Sequence, residues 1–177
     1  MMRSLLLGSS LVVVLGLAGC FGSKKEEAPT AEQKPVAATT VSAIRVVNVL
    51  DKANFDDAHI KGSIHVPDTE VEAVSATWGK NIPVVFYCSN SMCMASGVSA
   101  RKLKEKGFEK VYAYEGGMAE WYQKAQKDPS FAFEGPAAME YLKLVTPKVA
   151  ESVPAAGENV TITAEDLQKL MKAANLL

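Results

Sequence analysis

The residues most able to do chemistry are Cys88 and Cys93, with four residues between them in the stretch Pro83-Val84-Val85-Phe86-Tyr87-Cys88-Ser89-Asn90-Ser91-Met92-Cys93-Met94-Ala95-Ser96. Residues 83–87 are a short apolar run, as a strand covered on both faces would be, and residues 96–106 have helical periodicity. A strand thus delivers Cys88 to a loop of small residues, and the loop feeds a helix. Unpaired N–H groups and the positive end of that helix are then expected to converge on the Cys88 sulfur and to favour its thiolate. A thiolate is a nucleophile, and the same cradle would hold the anionic outer sulfur of a persulfide. Ser89, Asn90, Ser91, Met92, Met94 and Ala95 are the loop residues expected to surround a substrate. The competing reading makes Cys88 a small buried apolar residue.

Cys93 has two readings: a resolving thiol that attacks a Cys88 persulfide or sulfenic acid, closing a disulfide, or a packing residue on the first helical turn. Met92 and Met94 flank it. Clustered soft sulfur suits Cu(I), but the ordinary expectation for such methionines is that they fill the core. No metal or other cofactor is called for, because the cysteines lack the paired C-x-x-C spacing of a structural zinc site. His59 and His65 lie far from the loop in sequence and are expected to be structural.

The elements that must position the loop alternate along the chain. Strands are expected at residues 45–50, 63–66, 83–87 and 111–114, and helices at 53–58, 68–77 and 96–106, the last closed by Gly107 at its C-cap. Met118, Trp121, Tyr122 and Ala125 form a further apolar stripe at helical spacing. Such alternation predicts an α/β domain whose central, mostly parallel sheet has helices on both faces, with function at the carboxyl ends of the strands. Cys88 falls one residue beyond such an end. Residues 137–144 could form a short helix. A terminal helix begins near Thr163, where Thr163 and Asp166 approximate a capping box and Leu167, Leu170, Met171 and Ala174 follow on one face. That face must be covered by its own domain or by a partner.

The 177 residues suffice for one ordinary domain. Nineteen Lys plus Arg against twenty Asp plus Glu leave a net charge of −1, so no basic field exists for nucleic acid. At the start, Arg3 precedes the apolar residues 5–18, as in a signal peptide. Leu17-Ala18-Gly19-Cys20 resembles the lipobox of bacterial lipoproteins, whose cysteine is acylated and becomes the mature N-terminus. The expected organisation is a signal peptide at 1–19, a flexible tether at 20–39 rich in Lys, Glu and Pro, a domain at 40–127 and a C-terminal extension at 128–177 ending in the helix. Lipid on Cys20 would hold the protein on the cell membrane or outer membrane, facing the periplasm.

Residues 47–50, the segment Phe55-Asp56-Asp57-Ala58-His59-Ile60-Lys61-Gly62-Ser63-Ile64-His65-Val66-Pro67, the Cys88 loop, and Gly107-Phe108-Glu109-Lys110-Val111-Tyr112-Ala113-Tyr114-Glu115-Gly116-Gly117-Met118-Ala119-Glu120-Trp121 together resemble the rhodanese family. The resemblance implies the rhodanese-like α/β fold and a sulfurtransferase. It places Cys88 where the family's loop cysteine takes a sulfane sulfur from a persulfide, polysulfide or thiosulfate and passes it to a thiol acceptor. The family's loop glycine and arginine are absent here, and Asn48 and Leu50 replace its early aspartate and arginine. Loss of an arginine contact removes a charge-assisted hydrogen bond of ~1.5–3 kcal/mol, which implies poor use of dianionic thiosulfate. The alternatives are a binding module of the same fold without catalysis and a thiol–disulfide redox protein using Cys88 and Cys93. Arg101 and Lys102 are expected on a solvated helix face.

Overall fold

The computed structural model describes residues 44–144 and 160–177. The leader, Cys20 and the tether lie outside the described residues. The strands are β1 (Arg45–Asn48), β2 (His59–Ile60), β3 (Ile64–His65), β4 (Val84–Tyr87), β5 (Val111–Tyr114), β6 (Phe133–Glu134) and β7 (Val160–Thr161). The helices are α1 (Lys52–Asp57), α2 (Val71–Ser75), α3 (Ala95–Glu105), α4 (Gly117–Ala125) and α5 (Ala164–Ala173), with a 3₁₀ turn at Glu140–Lys143.

The main sheet has the order β3-β1-β4-β5-β7 and every pairing in it is parallel. Alternation along β4 sends Val84 and Phe86 to one face and Val85 and Tyr87 to the other. The first face packs with Val71 of α2 and Ala100 and Leu103 of α3. The second packs with Met118 and Trp121 of α4 and Ala164, Leu167 and Met171 of α5. The sheet is therefore covered on both sides, which is why β4 reads as an unbroken apolar run.

The helix ends follow their caps. Asp51 accepts the Asn54 N–H at the start of α1 (2.8 Å) and Thr163 accepts the Asp166 N–H at the start of α5 (3.1 Å). Gly107 closes α3 at φ +83°, and the Phe108 N–H reaches back to the Leu103 carbonyl. The helix expected over residues 68–77 is shorter, Val71–Ser75. Pro67 starts a turn in which its carbonyl takes the Glu70 N–H, and no side chain caps the helix that follows.

The C-terminal segment is built into the sheet: β7 pairs with β5, and α5 is part of the same apolar cluster as Val46, Val85 and Trp121. Its apolar face is thus covered by its own chain. The expected helix at 137–144 is a 3₁₀ turn, preceded by Ala137 at φ +53° and held by the Asp57 carboxylate, which accepts the N–H groups of Ala138 and Met139. Three two-residue strands are unforeseen in the sequence, β2, β6 and β7, of which β2 and β6 form an antiparallel pair too short for a periodic signal.

Candidate functional site

Cys88 follows β4 directly and its residue is fully buried, among Val49, Phe86, Ala100 and Ala113. Two elements fix the backbone around it. The first amides of α4 grip the loop: Met118 N–H donates to the Cys88 carbonyl and Ala119 N–H to the Ser89 carbonyl, each at 2.9 Å. Gly117, at φ +63°, permits that approach, since a Cβ there would stand 2.7 Å from the Cys88 oxygen and 2.8 Å from the Asn90 nitrogen. Within the loop, Cys93 N–H donates to the Asn90 carbonyl (3.0 Å) and Met92 N–H to the Asn90 side-chain oxygen (3.1 Å).

This turn decides which groups face each sulfur. The Cys88 Sγ lies 3.1 Å from the Cys93 carbonyl oxygen, 3.8 Å from that of Asn90 and 3.5 Å from the Ser96 Oγ. Carbonyl oxygens repel an anion, so Cys88 is a thiol that donates. Hydrogen bonding to Cys93 and then burial push its ionisation far up, against the smaller opposing pull of the Ser96 hydroxyl and amide. Cys93 is half-buried, and its ionisation is drawn well below the ordinary thiol value, first by the Cys88 S–H and then by the amides of Ala95 and Ser89. Helix α3 has no side chain capping its start, and Cys93 lies two residues before its first residue, Ala95. The expectation that loop amides converge on the Cys88 sulfur differs from the arrangement found: the carbonyl oxygens of Asn90 and Cys93 and the Ser96 hydroxyl lie nearest to it.

Cys93 also lines a pocket of about 130 Å³ with Ser91, Met94, Ser96, Gly97, Arg101 and Glu115, a lining that omits Cys88. Met92 and Met94 are 69% and 73% exposed, which corrects the expectation that they fill the core. Among the described residues no group of His, Cys, Asp and Glu is arranged to hold a metal. The histidines sit elsewhere: His59 Nδ1 pairs with the Phe55 carbonyl and His65 Nε2 with that of Leu50, both at 2.8 Å. Arg101 is exposed, as expected of a solvated face, yet it borders the pocket. Its spacing from Met94 and Gly97 is i, i+3, i+7 on α3, a signal present in the sequence that points all three the same way.

A buried strand ending in a cysteine, a loop ringed by backbone groups and a helix leading away is the arrangement found here, and the rhodanese-like domain family matches residues 32–124, more than half of the chain. The chain belongs to the rhodanese-like domain family. Its rhodanese-like domain is similar to the Bacillus subtilis protein YrkF, by name a sulfur carrier, with 29% identity over 84 residues. That match covers 48% of this chain and 44% of YrkF, so the chain spans under half of that relative's length. The thiosulfate sulfurtransferase GlpE of Shewanella oneidensis is 25% identical over 88 residues, covering 50% of this chain and 85% of GlpE. Among solved structures, a rhodanese with anions from E. coli is 26% identical, with a TM-score of 0.40 over 52% of this chain and 98% of that one. The rhodanese-like domain therefore has distant sulfurtransferase relatives.

Proposed function

We propose that this protein is a membrane-tethered sulfurtransferase of the rhodanese type, in which the Cys88–Cys93 loop takes up sulfane sulfur as a persulfide. The observation that carries this reading is the place of Cys93, half-buried and lining the pocket, where Cys88 and the amides of Ala95 and Ser89 draw its ionisation down. Groups that favour a thiolate equally favour the terminal anion of a persulfide. Cys93 attacks the outer sulfur of a persulfide, polysulfide or thiosulfate donor, and a thiol acceptor later removes it. Arg101 supplies a cation beside the pocket, and Glu115 disfavours a dianion there. The leader and Cys20 support a lipid anchor that displays the domain outside the cytoplasm.

A second reading leaves the persulfide on Cys88. Its place directly after β4, where the family's nucleophile stands, favours that reading, but the Cys88 sulfur must then leave the carbonyls of Asn90 and Cys93. The test is sulfur transfer from thiosulfate, polysulfide and glutathione persulfide by the purified chain. Loss of transfer in Cys93→Ser supports the first reading. Undiminished transfer in Cys93→Ser, with loss in Cys88→Ser, selects the second. Failure of the unaltered chain to transfer sulfur from any of the three donors leaves a binding module.

A further inference from the structure

We propose that the sulfur donor of this loop is the persulfide of a free amino acid, with Arg101 holding its carboxylate and Glu115 its ammonium. This rests on the reading that the Cys88–Cys93 loop takes up sulfane sulfur, and it is the same for either cysteine as the acceptor of that sulfur.

Three features of the pocket beside Cys93 point to such a ligand. Arg101 comes to it from α3 and Glu115 from the residue after β5, so two opposite charges border one cavity. Among the described residues neither side chain forms an ion pair or a hydrogen bond, with the other or with a neighbour. Opposite charges that share a cavity without meeting leave both ends open to a ligand that carries both signs. Ser91 borders the same cavity, and its hydroxyl is shielded from water without a hydrogen-bond partner among the described residues. An orphaned hydroxyl is costly, and a polar ligand at that wall relieves it. The cavity is also small, about 130 Å³ against ~300–1,000 Å³ for sites that enclose drug-sized molecules.

These features discriminate among sulfane-sulfur donors. Thiosulfate carries two negative charges and no positive one, so Glu115 opposes it where Arg101 attracts it. In glutathione persulfide the ammonium and the carboxylates stand toward the ends of a tripeptide, away from the carbon that bears the sulfur. Cysteine persulfide carries both charged groups on the carbon next to the sulfur-bearing one, so one small cavity holds all three. In the transfer a loop thiolate bonds to the outer sulfur and the donor's S–S bond breaks. The amino-acid thiolate leaves with the electron pair and takes up the proton that the loop thiol gave to water.

The test is the rate of sulfur loading on the reduced full-length chain, read by intact mass after rapid quenching. The donors are cysteine persulfide, mercaptopropionate persulfide, which lacks the ammonium, and cysteamine persulfide, which lacks the carboxylate. At limiting donor, loading from cysteine persulfide is expected to be about tenfold faster than from either of the others. Glu115→Gln is expected to abolish the advantage over mercaptopropionate persulfide and keep that over cysteamine persulfide, and Arg101→Gln to do the reverse. A merely structural role for either residue slows all donors alike. That result, or equal rates from all three donors in the unaltered chain, overturns the donor assignment while the sulfurtransferase reading stands. A chain that gains sulfur from no donor overturns both.

Discussion

The Cys88 sulfur stands 3.1 Å from the carbonyl oxygen of Cys93 and donates its proton toward it, so the two thiols of the loop are inequivalent: Cys88 is buried against loop carbonyls, and Cys93 is half-buried and lines the pocket. The asymmetry originates outside the loop. Helix α4 binds the carbonyls of Cys88 and Ser89, and the Asn90 turn fixes which peptide groups remain for each sulfur.

If the Cys88 S–H is the chief support of the Cys93 thiolate, its removal raises the ionisation of Cys93 toward the ordinary thiol value of ~8.5. The sign is fixed: a depressed value means thiolate at neutral pH, and loss of the donor means more thiol there. Cys88→Ala is expected to load sulfur several-fold more slowly at pH 6 than the unaltered chain, and to approach it at pH 9. A loading rate at pH 6 unchanged by the substitution contradicts this.

Gly117→Ala brings a Cβ within 2.8 Å of loop backbone at a positive φ, where neither side yields cheaply. The expected cost is about 2 kcal/mol or more, read by urea unfolding, together with slower sulfur loading because the Cys88 carbonyl shifts. Normal stability and normal loading would show that the α4 grip is dispensable.

Arg101→Ala is expected to raise the KM for thiosulfate by about tenfold while leaving stability unaltered, since the residue is exposed and its lost contact is to a bound anion. Arg101→Glu should weaken thiosulfate use further. Equal KM values in all three proteins would remove Arg101 from donor binding.

Leu167 is fully buried beneath the sheet, so Leu167→Ala should cost about 2–5 kcal/mol and unfold the whole domain at lower denaturant in a single transition. A separate early transition would mean that α5 is an independent appendage.

Much of the fold was legible because its main elements carry strong local patterns: the apolar runs of β4 and β5, the Gly107 stop of α3, and the Thr163–Asp166 cap of α5. What covers α5 was not legible, because β7 pairs with β5 across almost fifty residues of intervening chain. Nor were β2 and β6, whose two-residue lengths are below any periodicity. At the site, both cysteines were visible as chemistry-bearing residues, whereas the direction of each peptide group was not. That direction depends on Gly117 and the α4 amides, nearly thirty residues beyond Cys88. The exposure of Met92 and Met94 was missed for a related reason: the loop bends outward before α3 begins, so apolar character there does not mean burial.

The central claim is that the reactive sulfur of this loop belongs to Cys93. The most direct test is site-resolved alkylation: brief iodoacetamide treatment of the folded, reduced protein across pH 4 to 9, followed by fragmentation of the peptide that holds both cysteines. The account predicts label on Cys93 with a midpoint below neutrality, and none on Cys88 until the protein unfolds. Label appearing first on Cys88, or on Cys93 with an ordinary thiol midpoint, would contradict it.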